Sequence, residues 1–117
     1  MLTLYGIGSC DSCRKARKWL QDQAHDYNFH DLRENGLDAD MLSNWATFVG
    51  WQVLLNTRSR TWRDLPQAAK SEMTEDRALA LMLEHPTLVK RPVLESSARV
   101  VVGFSAERYQ DLCWSVS

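Results

Sequence analysis

The first residues alternate. Leu2, Leu4, Tyr5 and Ile7 form a short apolar, β-prone run that stops at Gly8 and predicts a strand. Directly after it, Cys13, Ala16, Arg17 and Leu20 recur at spacings of three and four, the period of a helix ending near Ala24. Asp26 to Leu32 alternates again and predicts a second strand with Tyr27 and Phe29 inward. Two strands around one helix form a βαβ unit, with parallel strands and a right-handed crossover. Arg33-Glu34-Asn35-Gly36 reads as a turn or as an acidic helix end. Leu37, Met41, Leu42, Trp45, Phe48 and Val49 then follow a helical period, with Asp38 or Asp40 in its first turn and Gly50 at its C-terminal cap.

Within the irregular stretch from Trp51 to Trp62, Leu54 to Trp62 is too mixed for a strand and predicts a short helix running into a loop, broken at Leu65-Pro66. Thr74-Glu75-Asp76 caps a helix through Ala78, Leu79, Leu81, Met82 and Leu83, which His85-Pro86 terminates. Leu88 to Glu95 is a loop feeding a strand that begins at Pro92. Arg99 to Phe104 is a further strand, joined to it through Ser96-Ser97-Ala98 at hairpin spacing and therefore antiparallel. Ser105 opens a last helix with Tyr109, Leu112 and Cys113 on its inner face. The order is β-α-β, a helical insertion at about 33–87, then β-β-α. That order predicts an α/β fold: a thioredoxin-like four-stranded mixed sheet flanked by helices, in a single domain over 1–117.

Composition narrows the chemistry. A formal net charge of −1 gives no electrostatic case for a nucleic-acid or membrane partner. No run approaches the roughly 20 apolar residues of a membrane span, and the start lacks the pattern of a signal peptide. A cytoplasmic location is expected. There thiols stay reduced, so Cys10-Asp11-Ser12-Cys13 points to redox chemistry or metal binding rather than a structural disulfide. Cys113 is one more apolar position of the last helix.

Strand, tight turn, thiol and helix place Cys10 at a helix N-terminus. Unpaired N–H groups and the positive end of the dipole stabilise a thiolate there. Arg14 and Lys15 act in the same direction and Asp11 against it. Cys13, one turn in, is a candidate resolving thiol for a mixed disulfide on Cys10, or a small buried apolar residue. Cys10, Cys13, His25 and His30 have nearly the spacing of a zinc finger, but a helical rise of 1.5 Å per residue separates the thiols from His25 by about 20 Å. No metal is expected. The three histidines read as surface or helix-end residues, and Trp45, Trp51 and Trp62 as core or rim packing.

Among the arginines, Arg58 and Arg91 sit in loops, and arginine suits planar oxyanions. Arg60, Arg63 and Arg99 read as solvated charges. In a thioredoxin-like sheet the proline opening the third strand lies against the active-site cysteine, commonly after a cis bond. Arg91, directly before Pro92, would then stand beside Cys10.

Four blocks carry a resemblance across essentially the whole chain. They are Leu-Tyr-Gly-Ile-x-x-Cys-Asp-x-x-Arg-Lys-Ala-x-x-Trp-Leu, Asn-Thr-Arg-Ser-x-Thr-Trp-Arg, Leu-Val-Lys-Arg-Pro-Val-Leu-Glu and Val-Val-Gly-Phe. Together they resemble the ArsC/Spx family of thioredoxin-like proteins, and within it the YffB subgroup related to arsenate reductases. The resemblance implies that Cys10 is the nucleophile, and that Arg58 and Arg91 are two of the three arginines that hold an oxyanion in arsenate reductases linked to glutathione and glutaredoxin. The third has no counterpart: its position falls near Gly103, and Arg99 is out of register. The resemblance further implies a glutathione-dependent thiol reductase acting on an oxyanion or a mixed disulfide. Its site is Cys10, Arg58, Arg91 and Pro92, with Cys13 as the resolving candidate. Glutathione is the co-substrate, glutaredoxin a candidate partner, and no cofactor is tightly bound. Small-molecule or protein disulfides are the substrates, and a monomer is expected. Cys13 also matches the CxxC of Spx-type transcriptional regulators, and Gly50 the glycine at their contact with the C-terminal domain of the RNA polymerase α-subunit. The alternative is a redox-sensing regulator of that kind.

Overall fold

The computed structural model describes residues 2–97 and 99–115. Ala98, assigned above to the hairpin connection, lies outside the described residues. The chain forms two compact units, one of residues 1–36 with 91–117 and one of Leu37–Lys90.

The first unit is built on a four-stranded sheet of order β2-β1-β3-β4, with β1 at Leu2–Gly6, β2 at Tyr27–Asp31, β3 at Val93–Glu95 and β4 at Val100–Val102. β1 pairs parallel with β2 and antiparallel with β3, and β3 pairs antiparallel with β4. The βαβ unit and the hairpin are therefore both present. The strands are shorter than the apolar runs that announced them. β3 starts after Pro92, which has no N–H to give to a ladder. β4 stops before Gly103, whose φ of 80° leaves the extended region.

Helix α1 (Asp11–Asp22) ends earlier than Ala24. Ala24 takes a left-handed φ of 59°. The His25 N–H then donates to the Leu20 carbonyl at 2.9 Å and the Ala24 N–H to that of Gln21 at 3.0 Å, the paired bonds of a Schellman closure. Helix α7 (Ala106–Ser115) is opened by Ser105, whose hydroxyl accepts the Arg108 N–H at 3.3 Å.

One face of the sheet supplies Leu2, Leu4, Leu94 and Val101 to a cluster with Ala16 and Leu20 of α1 and Tyr109, Leu112 and Cys113 of α7. Trp19, Tyr27, Phe29 and Phe104 close its rim. Arg17 lies at the edge of this face. Its guanidinium sits 4.3 Å from the centre of the Phe29 ring and its Nε donates to the Tyr27 hydroxyl at 3.3 Å, so the stem is covered and the charge stays near water.

The second unit carries α2 (Ala39–Val49), α3 (Trp51–Leu54), α4 (Arg60–Asp64), α5 (Gln67–Lys70), α6 (Glu75–Glu84) and a 3-10 turn at Pro86–Leu88. Asp38 caps α2 by accepting the Met41 N–H at 2.9 Å, so this helix starts after Leu37 rather than at it. Its buried face is Leu42, Trp45 and Ala46. Phe48, placed on the inner face by its period, is 46% exposed. It lies about 115° around the helix from the middle of that face. Thr74 caps α6 as its sequence indicates, accepting the Arg77 N–H at 3.3 Å. Helix α5 was not legible in the pattern. It is one short turn after Pro66, held by the Arg77 guanidinium, which donates to the carbonyls of Ser71 at 2.6 Å, Glu72 at 3.1 Å and Ala68 at 3.2 Å. Leu55 bridges Val89, and this pairing pins the chain before Arg58. Among the described residues no helix is long and apolar enough to cross a membrane.

Leu20 is fully buried where α1 meets the sheet. Leu20→Ala is expected to lower the unfolding free energy by about 2–5 kcal/mol, read from urea denaturation with an unchanged slope. A loss well under 1 kcal/mol would mean that α1 is not anchored through this contact.

Candidate active site

Cys10 is the N-cap of α1. Its backbone is extended, with φ −80° and ψ 128°. Its N–H donates to the Ile7 carbonyl at 3.1 Å, closing a tight turn, and its carbonyl accepts the Arg14 N–H at 3.0 Å as the first helical bond. The thiol therefore stands at the mouth of the helix. Burial raises its hold on the proton. Against that, the backbone N–H and thiol of Cys13, the backbone N–H of Ser12 and the Arg91 guanidinium all stabilise the thiolate, and the balance falls below the ordinary cysteine value. Arg14 is engaged by Asp11 next to it, and both are exposed.

Cys13 behaves in the opposite way. Its side chain is fully buried, and burial, reinforced by the neighbouring Cys10 charge, pushes its thiol up to about 11. The surroundings of the two thiols thus act in opposite directions, favouring the thiolate at Cys10 and the protonated form at Cys13. Both are free thiols.

Arg91 arrives from the other end of the unit, on the residue before β3. The Arg91–Pro92 bond is cis, and Pro92 is buried with its carbonyl accepting the Gly103 N–H at 2.8 Å. Nε and Nη1 of Arg91 are buried and have no protein partner. Donors left in that condition carry a desolvation cost that an anion would relieve. Cys10, Cys13 and Arg91 thus come together in the first unit, with Pro92 the next residue along the chain from Arg91. Arg58 belongs to the second unit. It is exposed on a turn in which its N–H donates to Asn56 Oδ1 at 3.1 Å, just before Ser59 caps α4 by accepting the Trp62 N–H at 3.2 Å.

The histidines have local partners. His25 stacks on Trp19 with ring centres 5.8 Å apart, and His30 Nε2 is 2.8 Å from the Gly36 carbonyl. Trp45 is fully buried in the second unit, as its packing role requires. Cys113 is buried, and burial raises its thiol.

Two residues that sequence reasoning passed over support the cysteine loop. Asp31, at the end of β2, accepts the N–H groups of Arg33 at 2.8 Å and Glu34 at 3.2 Å through Oδ1. Those two contacts and the Gly8 N–H hold its carboxyl below the usual range. It ties the turn after β2 to the loop that leads into Cys10. Its only signal in the sequence was an acid at a strand end, which is commonplace. Gly6 is the other: a Cβ there would lie 2.5 Å from Cys13 Sγ. A glycine inside a strand often marks such a close approach.

A parallel β1–β2 pair, an antiparallel β3–β4 pair, a cis-proline heading β3 and a CxxC at the mouth of α1 define a protein of thioredoxin-like fold. The chain belongs to the ArsC family, which it matches over residues 5–112. It is 41% identical to a YFFB protein of known structure, over 95% of this chain and 97% of that one, with a TM-score of 0.92. An arsenate reductase (ArsC) related protein from Brucella melitensis is 44% identical over 94% of this chain and 92% of that one, with a TM-score of 0.76. Global transcriptional regulator Spx 2 of Bacillus anthracis is 33% identical over 109 residues, 92% of this chain and 82% of that protein.

Two outcomes check this geometry. The pH dependence of Cys10 alkylation is expected to give an apparent pKa below the free value of about 8.5. Arg91→Met and Cys13→Ala should each raise it, because each removes a group that favours the thiolate. An unmoved pKa in both variants would break the assignment. For Asp31, the folded pKa lies below the unfolded value near 3.9, so its contribution to stability is full above that value and lost as the pH falls through the folded one. The gap in urea midpoint between wild type and Asp31→Asn should be widest near neutrality and close in acid. A gap that ignores pH would show that the carboxylate is not held.

Proposed function

We propose that this protein is a thiol reductase that uses the Cys10 thiolate as nucleophile. The observation that carries the reading is the pair of buried, unpartnered Arg91 donors beside a thiol already biased toward its thiolate. With a mixed disulfide, the Cys10 sulfur attacks one substrate sulfur, the old S–S bond breaks, and the departing thiolate takes up a proton. With an oxyanion, the sulfur bonds to the central atom while one of its bonds to oxygen breaks, and that oxygen takes up protons from solvent and leaves as water. Arg91 offsets the negative charge in both cases. The adduct is then resolved by a second thiol, with glutathione as co-substrate or Cys13 in its place, and glutaredoxin as the partner that would accept the next disulfide. Arg58 is assigned to recognition of the anionic group on the strength of the family blocks alone, and Pro92 to shaping the wall beside Cys10. The cytoplasm is the compartment where such a reductase finds reduced glutathione.

A second reading is favoured by one observation, the Cys10–Cys13 pair shared with the CxxC of Spx-type regulators. In that reading a Cys10–Cys13 disulfide switches binding to the C-terminal domain of the RNA polymerase α-subunit, and no turnover occurs.

A glutathione-coupled assay on a mixed disulfide separates the two. Cys10→Ser should abolish turnover, whereas Cys13→Ser retains much of it because glutathione can resolve the adduct. Arg91→Met should lower kcat/KM by roughly 100- to 1,000-fold, the range seen on removing a group that stabilises developing charge. Absence of turnover in the wild type, with polymerase binding that depends on oxidation and is lost equally in both cysteine variants, would replace the reductase with the regulator.

A further inference from the structure

Gly6 occupies a costly place. It ends β1, an inner strand paired on both sides, where glycine is worse than alanine by roughly 0.5–1 kcal/mol. Its backbone does not call for glycine, since its φ is not among the positive ones. Its ladder is ordinary: it sits opposite Asp31, and its carbonyl accepts the Leu32 N–H at 2.8 Å. What singles it out is the space above it. A Cβ at position 6 would meet Cys13 Sγ at 2.5 Å and Cys13 Cβ at 3.3 Å, with Phe29 Cε1 at 3.8 Å.

We propose that Gly6 is a positioning residue for Cys13: the bare backbone at position 6 lets the second thiol lie against β1 within reach of Cys10, so that an adduct on Cys10 closes internally as a Cys10–Cys13 disulfide. This deepens the reductase reading and rests on it. Cysteine has a single side-chain torsion, and Cys13 is fully buried, so Sγ can escape a methyl group at position 6 only by changing rotamer or by shifting α1. Either movement takes the sulfur from the place where it faces Cys10. The Cys13 thiol also favours the Cys10 thiolate, so the same displacement weakens the nucleophile.

The chemistry balances within the pair. The Cys13 sulfur attacks the Cys10 sulfur of the adduct, the new S–S bond forms, and the bond from Cys10 to the substrate fragment breaks. Its electron pair leaves with the fragment as a thiolate, and the Cys13 proton is released to solvent or to that thiolate. The oxidant is the substrate disulfide, reduced to two thiols.

An aromatic disulfide, 5,5′-dithiobis(2-nitrobenzoic acid), reads both steps in the full chain carrying Cys113→Ser. Attack by Cys10 releases one coloured thiolate, and closure by Cys13 releases a second. The wild-type pair should release both, without glutathione present. Gly6→Ala should release the first more slowly at neutral pH and the second roughly 10- to 100-fold more slowly still, the scale of loss that misplaced reacting atoms produce. Equal second-phase rates in the two proteins would overturn the role of Gly6 while leaving the reductase reading in place. Absence of the first release in both would sink that reading itself. Thermal melts cover a folding failure. Gly6→Ala should cost clearly less stability in a Cys13→Ala background, where the 2.5 Å contact with sulfur no longer exists. An equal cost in both backgrounds would show that the glycine serves something other than the thiol.

Discussion

A negative sulfur partly withdrawn from water has to be balanced by positive or polar groups, and the first unit is arranged around that requirement. Burial alone would keep Cys10 protonated. The mouth of α1 supplies backbone N–H groups, Cys13 supplies a thiol that keeps its proton, and Arg91 supplies a full charge. Each comes from a different structural device: a helix start, a strand glycine that admits sulfur, and a residue locked beside a proline. The loop between β1 and α1 must therefore be held from below, which gives the carboxylate of Asp31 its part.

Most of this was legible where one residue type carries one physical meaning. The CxxC after a strand announced the helix mouth, and Arg91 before Pro92 announced a charge beside it. Periodicity located α1, α6 and α7 because each has one buried stripe, and Thr74 marked its helix start by chemistry alone. It misjudged Phe48, because apolar character was taken for burial when Leu42, Trp45 and Ala46 already fill the inner face. It missed α5, whose four residues are too few to display a period and which is held by Arg77 from the following helix. Gly6 and Asp31 escaped for another reason. Their roles exist only between elements, as a gap and as a set of N–H contacts, and a glycine within a strand or an acid at its end is too common along a chain to single either out.

The two candidate arginines differ in the same way. Arg91 is half-withdrawn from water with donors unmatched, a state that a protein retains at a site of use more readily than at random. Arg58 is exposed on a well-formed Asx-type turn, and its local geometry is explained by Asn56 and Ser59 without reference to a ligand. Its claim to function therefore comes from the family, which the chain joins over residues 5–112.

The pairing of β1 with β3 has a consequence for the order in which reactivity is acquired. β1, α1 and β2 are contiguous in the chain, but β3 and Arg91 follow only after the whole of Leu37–Lys90. Contacts this distant in sequence form late, and during synthesis the N-terminal segments emerge first. A nascent chain therefore carries Cys10 through the ribosome exit and early collapse without its guanidinium partner. The full set of groups that stabilises the Cys10 thiolate, drawn from both ends of the chain, is assembled only once the second half of the sheet has docked.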